Sequence, residues 1–337
     1  MFQGITITDS TGEDSATILP EFGFNCISWQ VTTLAQQPTT LAQQPTMLGK
    51  KVELLDTLPG FTEGTQRPSS SGIPILFPFP NRIREGEFTY QGQTYQLPKN
   101  SQQKNAIHGF VFDRPFRVIN HSSNSITGCF QLSIDAPDRS SLWPADFELQ
   151  VTYTILRHTL LTTFTIKNPA STSGPNLPWG LGTHAYFKLP LAESGNAAEC
   201  TVHAAANDYW ELNENLPTGC ILPVTEQLDL RKGKKYADCK FDDILTNLPE
   251  SSGKVISRID NPAASSRIVQ TSDGEFKQLV VFTPVGRQAI CLEPYTCVSD
   301  SMNLSQQGVK ETGWQELAPG AEKTLQIKLE FQQIIHD

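Results

Sequence analysis

Apolar and polar residues alternate in several segments of this chain, and this period of two is typical of β-strands with one buried face. The clearest case is residues 324–331, where Leu, Ile or Phe occupies every second position. The same alternation occurs over residues 126–134, 147–155 and 160–166. We therefore predict that each segment forms a strand of an antiparallel sheet.

Two further segments, residues 279–282 and 289–292, are apolar without interruption, which is typical of strands that are covered on both faces. No segment carries a long helical stripe, and only a short helical turn is predicted near residues 242–248. The prediction is an all-β, antiparallel fold. Since no convincing linker divides the chain, residues 1–337 are expected to form a single domain.

The stretch covering residues 72–115 combines an apolar run with polar groups placed where strands would end. Three prolines within residues 74–80 suit an edge, a bulge or a loop, because proline cannot donate to a β-ladder. Asn81 and Arg82 follow directly and are predicted to face a ligand. Residues 87–97 then have the pattern of a β-hairpin.

Composition narrows the classes of function. The net charge of −9 argues against nucleic acid and anionic membranes as partners. The first residues show no secretory signal, and no apolar run reaches the length of a membrane span. Seven scattered cysteines without a zinc-like spacing favour reduced thiols, and therefore a cytoplasmic protein.

A tandem duplication of the seven residues Thr-Leu-Ala-Gln-Gln-Pro-Thr covers residues 33–46. Two copies are too few for a solenoid. The segment is interpreted as a polar insertion in a loop, where added length costs little.

Several residues could carry chemistry, and each also has a structural explanation. His108 precedes Gly109, which would let another group approach the imidazole closely, but a buried histidine often only packs in a core. His184 lies beside aromatic residues and could pack in the same way. Asp242, with Asp243, could cap a turn. Glu293 ends a predicted buried strand, where a carboxylate needs a partner or a function.

Three types of site use such groups. A metal centre of two histidines and a carboxylate lacks any supporting local spacing. A nucleophilic triad lacks a Gly-x-Ser-x-Gly motif and a recognisable active-site cysteine. The third type is an acid and a base that act on a neutral polyol, with Asn, Arg, Asp and a second His binding its hydroxyl groups. That set of side chains suits a sugar.

Five motifs in this order resemble the aldose 1-epimerase (galactose mutarotase) family, and the closing segment 314–320 resembles its C-terminal end. The five motifs are Gly-Ile-Pro-Ile-Leu-Phe-Pro before Asn81-Arg82, Asn-Ala-Ile-His108-Gly, Gly-Thr-His184-Ala-Tyr-Phe, Phe-Asp242-Asp and Leu-Glu293-Pro-Tyr-Thr. The resemblance implies a single β-supersandwich domain, an active site in a concave cleft and no cofactor or metal.

The resemblance also implies roles for individual residues. Glu293 matches the base that takes the proton of the anomeric hydroxyl, and His184 matches the acid that protonates the ring oxygen. Residues that match the sugar-binding positions are Asn81, Arg82, His108 and Asp242. Asp243 is the alternative to Asp242.

The implied activity is interconversion of the α and β anomers of an aldohexose. The basic segment 231–235 leaves a hexose-6-phosphate 1-epimerase open as an alternative, although a solvated turn is the simpler explanation. A third hypothesis is a non-catalytic sugar-binding or regulatory protein on the same fold. The expected partner is a small sugar, phosphorylated or not, and the expected assembly is a monomer or homodimer.

The mechanism carries a geometric expectation. The candidate site residues should converge on one open face, with apolar or aromatic side chains beside them. We further expect the His184 imidazole and the Glu293 carboxylate to be separated by about the width of a pyranose ring, which is beyond a direct hydrogen bond of about 3 Å.

Overall fold

The alternating segments form antiparallel strands in the part of the chain that a computed structural model describes, residues 1–33, 50–193 and 195–334. The strands of these residues are β1 Ile5–Thr8, β2 Ser15–Leu19, β3 Asn25–Thr33, β4 Lys50–Glu53, β5 Ile75–Leu76, β6 Arg82–Ile83, β7 Glu87–Tyr90, β8 Gln93–Gln96, β9 Ala106–Ile107, β10 Arg117–His121, β11 Ser125–Gln131, β12 Glu148–Leu156, β13 Thr159–Lys167, β14 Leu177–Trp179, β15 Gly182–Thr183, β16 Ala185–Lys188, β17 Thr201–Ala204, β18 Asp208–Asn213, β19 Leu216–Pro223, β20 Lys234–Lys235, β21 Asp242–Thr246, β22 Lys254–Asn261, β23 Ser266–Asp273, β24 Gln278–Phe282, β25 Ala289–Tyr295, β26 Gln315–Leu317 and β27 Glu322–Gln333.

Helical structure in the same residues is limited to short segments. The α-helices are α1 Leu132–Asp135 and α2 Ser301–Gln306. The 3₁₀ turns are Arg84–Gly86, Pro137–Leu142, Ala197–Glu199, Tyr236–Asp238 and Pro262–Ala264.

Two large sheets provide the frame. Nine strands pair in the order β10-β11-β12-β13-β27-β23-β22-β17-β20. The second sheet has eight strands, with the order β19-β18-β21-β24-β25-β15-β5 and with β16 paired to β25 beside this path. A four-stranded sheet, β1 to β4, and three two-stranded ribbons complete the described strands. The all-β, antiparallel prediction is confirmed.

The main hydrophobic core takes side chains from both large sheets. Val151 and Phe164, which face each other across β12 and β13, belong to it, and so do Val281 and Leu292 of β24 and β25. The opposite face of β24 and β25 is also covered, by a second cluster that includes Val280. Both uninterrupted apolar runs are therefore strands buried on both faces, as predicted.

Three details differ from the sequence predictions or lie outside the described residues. The helical turn predicted near residues 242–248 is wrong, because Asp242–Thr246 is β21 and pairs with β24. The strand predicted over residues 126–134 ends at Gln131, where helix α1 follows. Residues 34–46 of the tandem duplication are outside the described residues.

The seven cysteines are all free thiols, and only Cys220 is exposed. Among the described residues, no helix has the length and apolar character needed to cross a membrane.

Candidate active site

One face of the eight-stranded sheet forms the floor of a cavity. Along β25 the period of two directs Glu293 and Tyr295 to this face. The strand register pairs Val280 of β24 with Glu293 of β25. Two residues further along β24, Phe282 is paired with Asp242 of β21. These side chains lie far apart in sequence, and only the pairing of β21, β24 and β25 brings them together.

His184 reaches the same face from the other side of β25. It lies between β15 and β16, which both pair with β25, through Gly182 with Tyr295 and through Ala185 with Leu292. At this register His184 lies opposite Glu293. The backbone N–H of His184 donates to the carbonyl of Pro74 at 3.0 Å, which ties this strand to the proline-containing stretch.

The stretch covering residues 72–115 supplies the rim of the cavity. Arg82 pairs with Ile107 across β6 and β9, and the N–H of His108 donates to the carbonyl of Asn81 at 2.8 Å. Asn81 and His108 both have positive φ, 55° and 70°, a conformation that these residue types tolerate better than most. Such backbone outliers cluster at functional sites.

Gly109 permits a close approach, as its position after His108 suggested, but the approaching group is the chain itself. A Cβ at Gly109 would lie 2.1 Å from the carbonyl oxygen of Phe77. The glycine therefore lets residues 77 and 109 form a backbone bridge under the rim.

All six residues singled out from the sequence line one cavity of about 210 Å³. They are Asn81, Arg82, His108, His184, Asp242 and Glu293. The remaining lining residues are Arg67, Ser69, Ser70, Ser101, Gln102, Ile107, Tyr186, Val280, Phe282 and Tyr295.

The predicted separation of the acid and the base is wrong. His184 Nε2 and Glu293 Oε1 are 3.3 Å apart, so no pyranose ring fits between these atoms. The reason is the register, since side chains directly opposite on neighbouring strands have Cβ atoms about 5 Å apart. A ligand that contacts both groups would therefore have to lie over the pair. The two atoms do not form a hydrogen bond, and Glu293 Oε1 has no other hydrogen-bond partner among the described residues.

Burial dominates the electrostatics of the pair. The His184 side chain loses most of its water, which lowers its pKa to about 3. The same loss of water raises the pKa of Glu293 well above its ordinary value, and nearby Asp242 acts in the same direction. Burial, followed by the charge of His184, also lowers the pKa of His108 well below its ordinary value. Burial thus favours the neutral form of each group.

Aromatic side chains surround the imidazole of His184. The Tyr186 ring stacks on it with centroids 4.6 Å apart and an angle of 7°, and Phe282 meets it edge to face at 6.0 Å. The Tyr186 hydroxyl donates to the carbonyl of Ser69 at 3.0 Å. Arg287 lies over the Tyr186 ring, with its Cζ 4.5 Å from the ring centroid. The expected aromatic neighbours are therefore present.

Tyr295 is a site residue that the sequence reasoning missed. Its hydroxyl donates to Glu293 Oε2 at 2.5 Å, and both side chains are buried. The signal was present in the chain, because the period of two in β25 puts positions 293 and 295 on one face. It was overlooked because a tyrosine in an apolar strand resembles ordinary core packing.

The two aspartates divide between two surfaces, as neighbours in a strand do. Asp242 lines the cavity, whereas Asp243 lines a separate groove with Lys234 and Lys240. The choice of Asp242 over Asp243 agrees with this placement.

The basic segment 231–235 does not line the cavity. Arg231 is bound to Asp229 at 2.7 Å, and Lys235 to Glu199 at 2.7 Å, so the segment has the character of an ion-paired surface turn.

Arg67 is a cationic residue of the cavity that the sequence analysis did not single out. It is exposed, lines the cavity and has no acidic partner among the described residues.

By distance alone, three groups could surround a metal ion. Ligand atoms of His184, Cys291 and Glu293 all lie within 4.8 Å of one another. Cys291, however, is not part of the cavity lining, and burial raises the pKa of its thiol well above the ordinary value. Because this thiol lies outside the cavity lining, we assign no metal ligands here.

Sequence comparisons relate this chain to known proteins. The profile of the family described as aldose 1-epimerase matches residues 44–330. The chain is 28% identical to the uncharacterized protein YihR of Escherichia coli K12, over 68% of this chain and 71% of YihR. It is 31% identical to the galactose mutarotase of Rattus norvegicus and 30% identical to that of Homo sapiens, in both cases over 56% of each chain.

Solved structures share the fold. A galactose mutarotase-like protein from Clostridium acetobutylicum superposes with a TM-score of 0.80 at 24% identity, covering 96% of this chain and 94% of its own. An aldose epimerase homologue from Caenorhabditis elegans gives 0.77 at 20% identity, covering 99% and 100%. The sequence match over most of the chain, on this shared fold, leads to one conclusion: the chain belongs to the aldose 1-epimerase family.

Proposed function

We propose that this protein is a mutarotase that interconverts the α and β anomers of an aldohexose by acid–base opening and closure of the ring. The observation that carries the proposal is the contact of His184 and Glu293 on the floor of a cavity with polar groups on its rim. Family membership supports an isomerase of this kind.

The reaction needs two proton transfers at neighbouring oxygens. Glu293 takes the proton of the O1 hydroxyl, and the electron pair released forms the aldehyde C=O. The C1–O5 bond breaks, and O5 takes a proton from His184. Rotation about C1–C2 exposes the other face of the aldehyde, and the same transfers in reverse close the ring. Each positioned group contributes about a hundred- to ten-thousand-fold to the rate.

The buried pair suits this cycle because it holds one proton throughout. With the ring closed, the proton is on His184 and Glu293 is ionised; with the ring open, Glu293 holds the proton and His184 is neutral. Burial favours the neutral arrangement. Burial therefore favours protonated Glu293 with neutral His184, the state that accompanies the open-chain aldehyde. Hydrogen bonds to the carboxylate favour ionised Glu293 with protonated His184, the state that accompanies the closed ring.

The rim residues would bind and orient the sugar. Arg82 donates through Nη1 to the side-chain oxygen of Asn81 at 2.9 Å, which fixes its guanidinium at the cavity. His108 and Asp242 offer further hydrogen-bonding groups to the cavity. The rings of Tyr186 and Phe282 would cover C–H groups of the sugar. The steps are proton transfers that balance without an oxidant or cofactor.

The free cysteines support a cytoplasmic location, because thiols stay reduced there.

The test measures exchange between anomers by NMR or polarimetry with glucose, galactose and glucose 6-phosphate. We expect at least one of these sugars to exchange faster with the protein than in buffer. A protein that binds these sugars, as shown by calorimetry, and accelerates none of them would be a sugar-binding protein without this activity.

A second candidate is a 1-epimerase for a sugar that carries an anionic group, and Arg67 is the observation that favours it. An exposed guanidinium at the cavity without an acidic partner among the described residues suits a phosphate or similar group. Arg67→Gln should then raise KM for glucose 6-phosphate about tenfold, the loss of one charge-assisted hydrogen bond, and leave KM for glucose unchanged. Arg231→Gln, in the ion-paired turn, is the control. Equal effects of Arg67→Gln on both sugars would contradict this candidate.

A further inference from the structure

Tyr295 has a contact with Glu293 that the proposed chemistry does not yet use. The phenol hydroxyl donates to Oε2 of the carboxylate at 2.5 Å, from the next position on the same face of β25. Tyr295 is 0% exposed and Glu293 1% exposed, so water does not compete for this bond. A hydrogen bond to a charged acceptor in such surroundings is stronger than one at a surface.

The fold reserves space for the ring of Tyr295. Gly182 is its partner on the neighbouring strand β15, and a Cβ at Gly182 would lie 2.3 Å from Cδ1 of the ring. Leu76, Val280 and Val298 belong to the same hydrophobic cluster as the ring. With these neighbours the ring cannot change its rotamer easily, and its hydroxyl is held at the carboxylate.

The contact makes the two oxygens of Glu293 different. Oε2 accepts from Tyr295, whereas Oε1 lies 3.3 Å from His184 Nε2 and has no hydrogen-bond partner among the described residues. An anchored Oε2 prevents the carboxylate from rotating about its terminal bond. Oε1 is then the oxygen that can meet the hydroxyl of a sugar lying over the pair.

We propose that Tyr295 is a positioning residue that anchors Oε2 of Glu293 and thereby presents Oε1 as the basic oxygen to the substrate. The inference rests on the proposed function of Glu293 as the base. The hydroxyl also stabilises the ionised carboxylate against burial, because it donates to the charged form. Among the described residues, the other ionisable groups that interact with Glu293 are His184, Asp242, Arg82, Tyr186 and Cys291.

The test replaces Tyr295 by Phe, which removes the hydroxyl and keeps the ring. The expected result is a fall in kcat for anomer exchange of about 10- to 100-fold, the loss of one hydrogen bond to a charged group, with KM nearly unchanged. In the unliganded protein, ¹³C NMR of the labelled Glu293 carboxyl should show its titration moved to higher pH by about one to two units. Glu293→Gln identifies the resonance.

Tyr153→Phe is the matched control. Tyr153 is also a fully buried tyrosine, but it lies on β12 of the other large sheet and does not line the cavity. Its substitution should change neither kcat nor the titration of Glu293.

Two results would overturn the proposal: an unchanged kcat in Tyr295→Phe, or a reduced kcat with the Glu293 titration unmoved, which would show that the tyrosine only packs. Should Tyr295→Phe fail to fold, 3-fluorotyrosine at position 295 keeps the shape and strengthens the donor, and the titration should move to lower pH. Because the titration needs no sugar, it decides the role of Tyr295 even for a protein that exchanges no anomers.

Discussion

Two histidine–carboxylate pairs in this molecule have similar distances and different surroundings. His184 and Glu293 are 3.3 Å apart on the cavity face of the eight-stranded sheet. His203 and Asp260 are 3.0 Å apart on the nine-stranded sheet, and Asp260 also lies within 3.1 Å of Arg258 and Arg267. Distance alone therefore does not distinguish the proposed catalytic pair from a structural one.

The difference lies in what else each carboxylate contacts. Asp260 has one cationic neighbour on its own strand β22, Arg258, and another on the adjoining strand β23, where Arg267 faces it. Glu293 has a tyrosine on one oxygen and no hydrogen-bond partner among the described residues on the other. Oδ1 of Asp260 also lacks a hydrogen bond, but each oxygen of Asp260 is paired with an arginine, whereas Glu293 lines the cavity.

The largest expected effect comes from replacing each carboxylate by its amide. Glu293→Gln keeps the shape but cannot accept the proton, so anomer exchange should fall by about a thousand-fold or more while the fold is kept. Asp260→Asn should leave exchange unchanged and lower the free energy of unfolding by about 1–3 kcal/mol, because two arginines lose their charged partner. Polarimetry and thermal unfolding measure the two effects. Near-normal exchange in Glu293→Gln would remove the base from the mechanism.

The two histidines provide the next comparison. His184→Asn should lower kcat by about a hundred-fold or more, since the amide cannot deliver a proton to the ring oxygen. His108→Asn should affect sugar binding more than kcat, because its predicted role is to orient the sugar. His203→Asn should affect neither. Kinetics and calorimetry separate these outcomes, and a normal kcat in His184→Asn would contradict its role as the acid.

A smaller effect is expected from pH. The proposed pair works while it holds one proton, so activity is lost when it gains a second or loses the first. Burial lowers the pKa of His184 to about 3 and raises that of Glu293 above its ordinary 4.5. In the profile of kcat/KM against pH, the acid limb therefore moves to lower pH and the alkaline limb to higher pH. The result is a broad plateau between them. A narrow optimum between 4.5 and 6.5, the ordinary values of the two groups, would contradict this description.

The smallest effect is expected from metal removal. The proposed mechanism uses only proton transfer, so exhaustive chelation and dialysis should leave anomer exchange unchanged. Activity that disappears with the chelator and returns with one metal would instead assign His184, Cys291 and Glu293 to a metal centre. Cys291→Ser would then also weaken the restoration by that metal.

Much of this arrangement could be predicted from the chain alone. The period of two predicted the strands around residues 147–155 and 324–331, and apolar runs predicted that β24 and β25 are covered on both faces. The six candidate residues named from motifs all line one cavity. These features depend on local properties, namely side-chain alternation and the residue types at strand ends, so they can be read along the sequence.

The remaining features depend on which strands pair and in what register. The chain carries no local sign that His184 lies opposite Glu293, and so the distance between them was predicted wrongly. Residues 242–246 form a strand because β24 offers a partner, although their sequence suggested a helical turn. Arg67 lines the cavity, whereas the more conspicuous basic segment 231–235 does not. The sequence by itself determined the strands and the chemical groups; the tertiary structure decided their neighbours, because contacts between distant segments follow from the pairing of whole sheets.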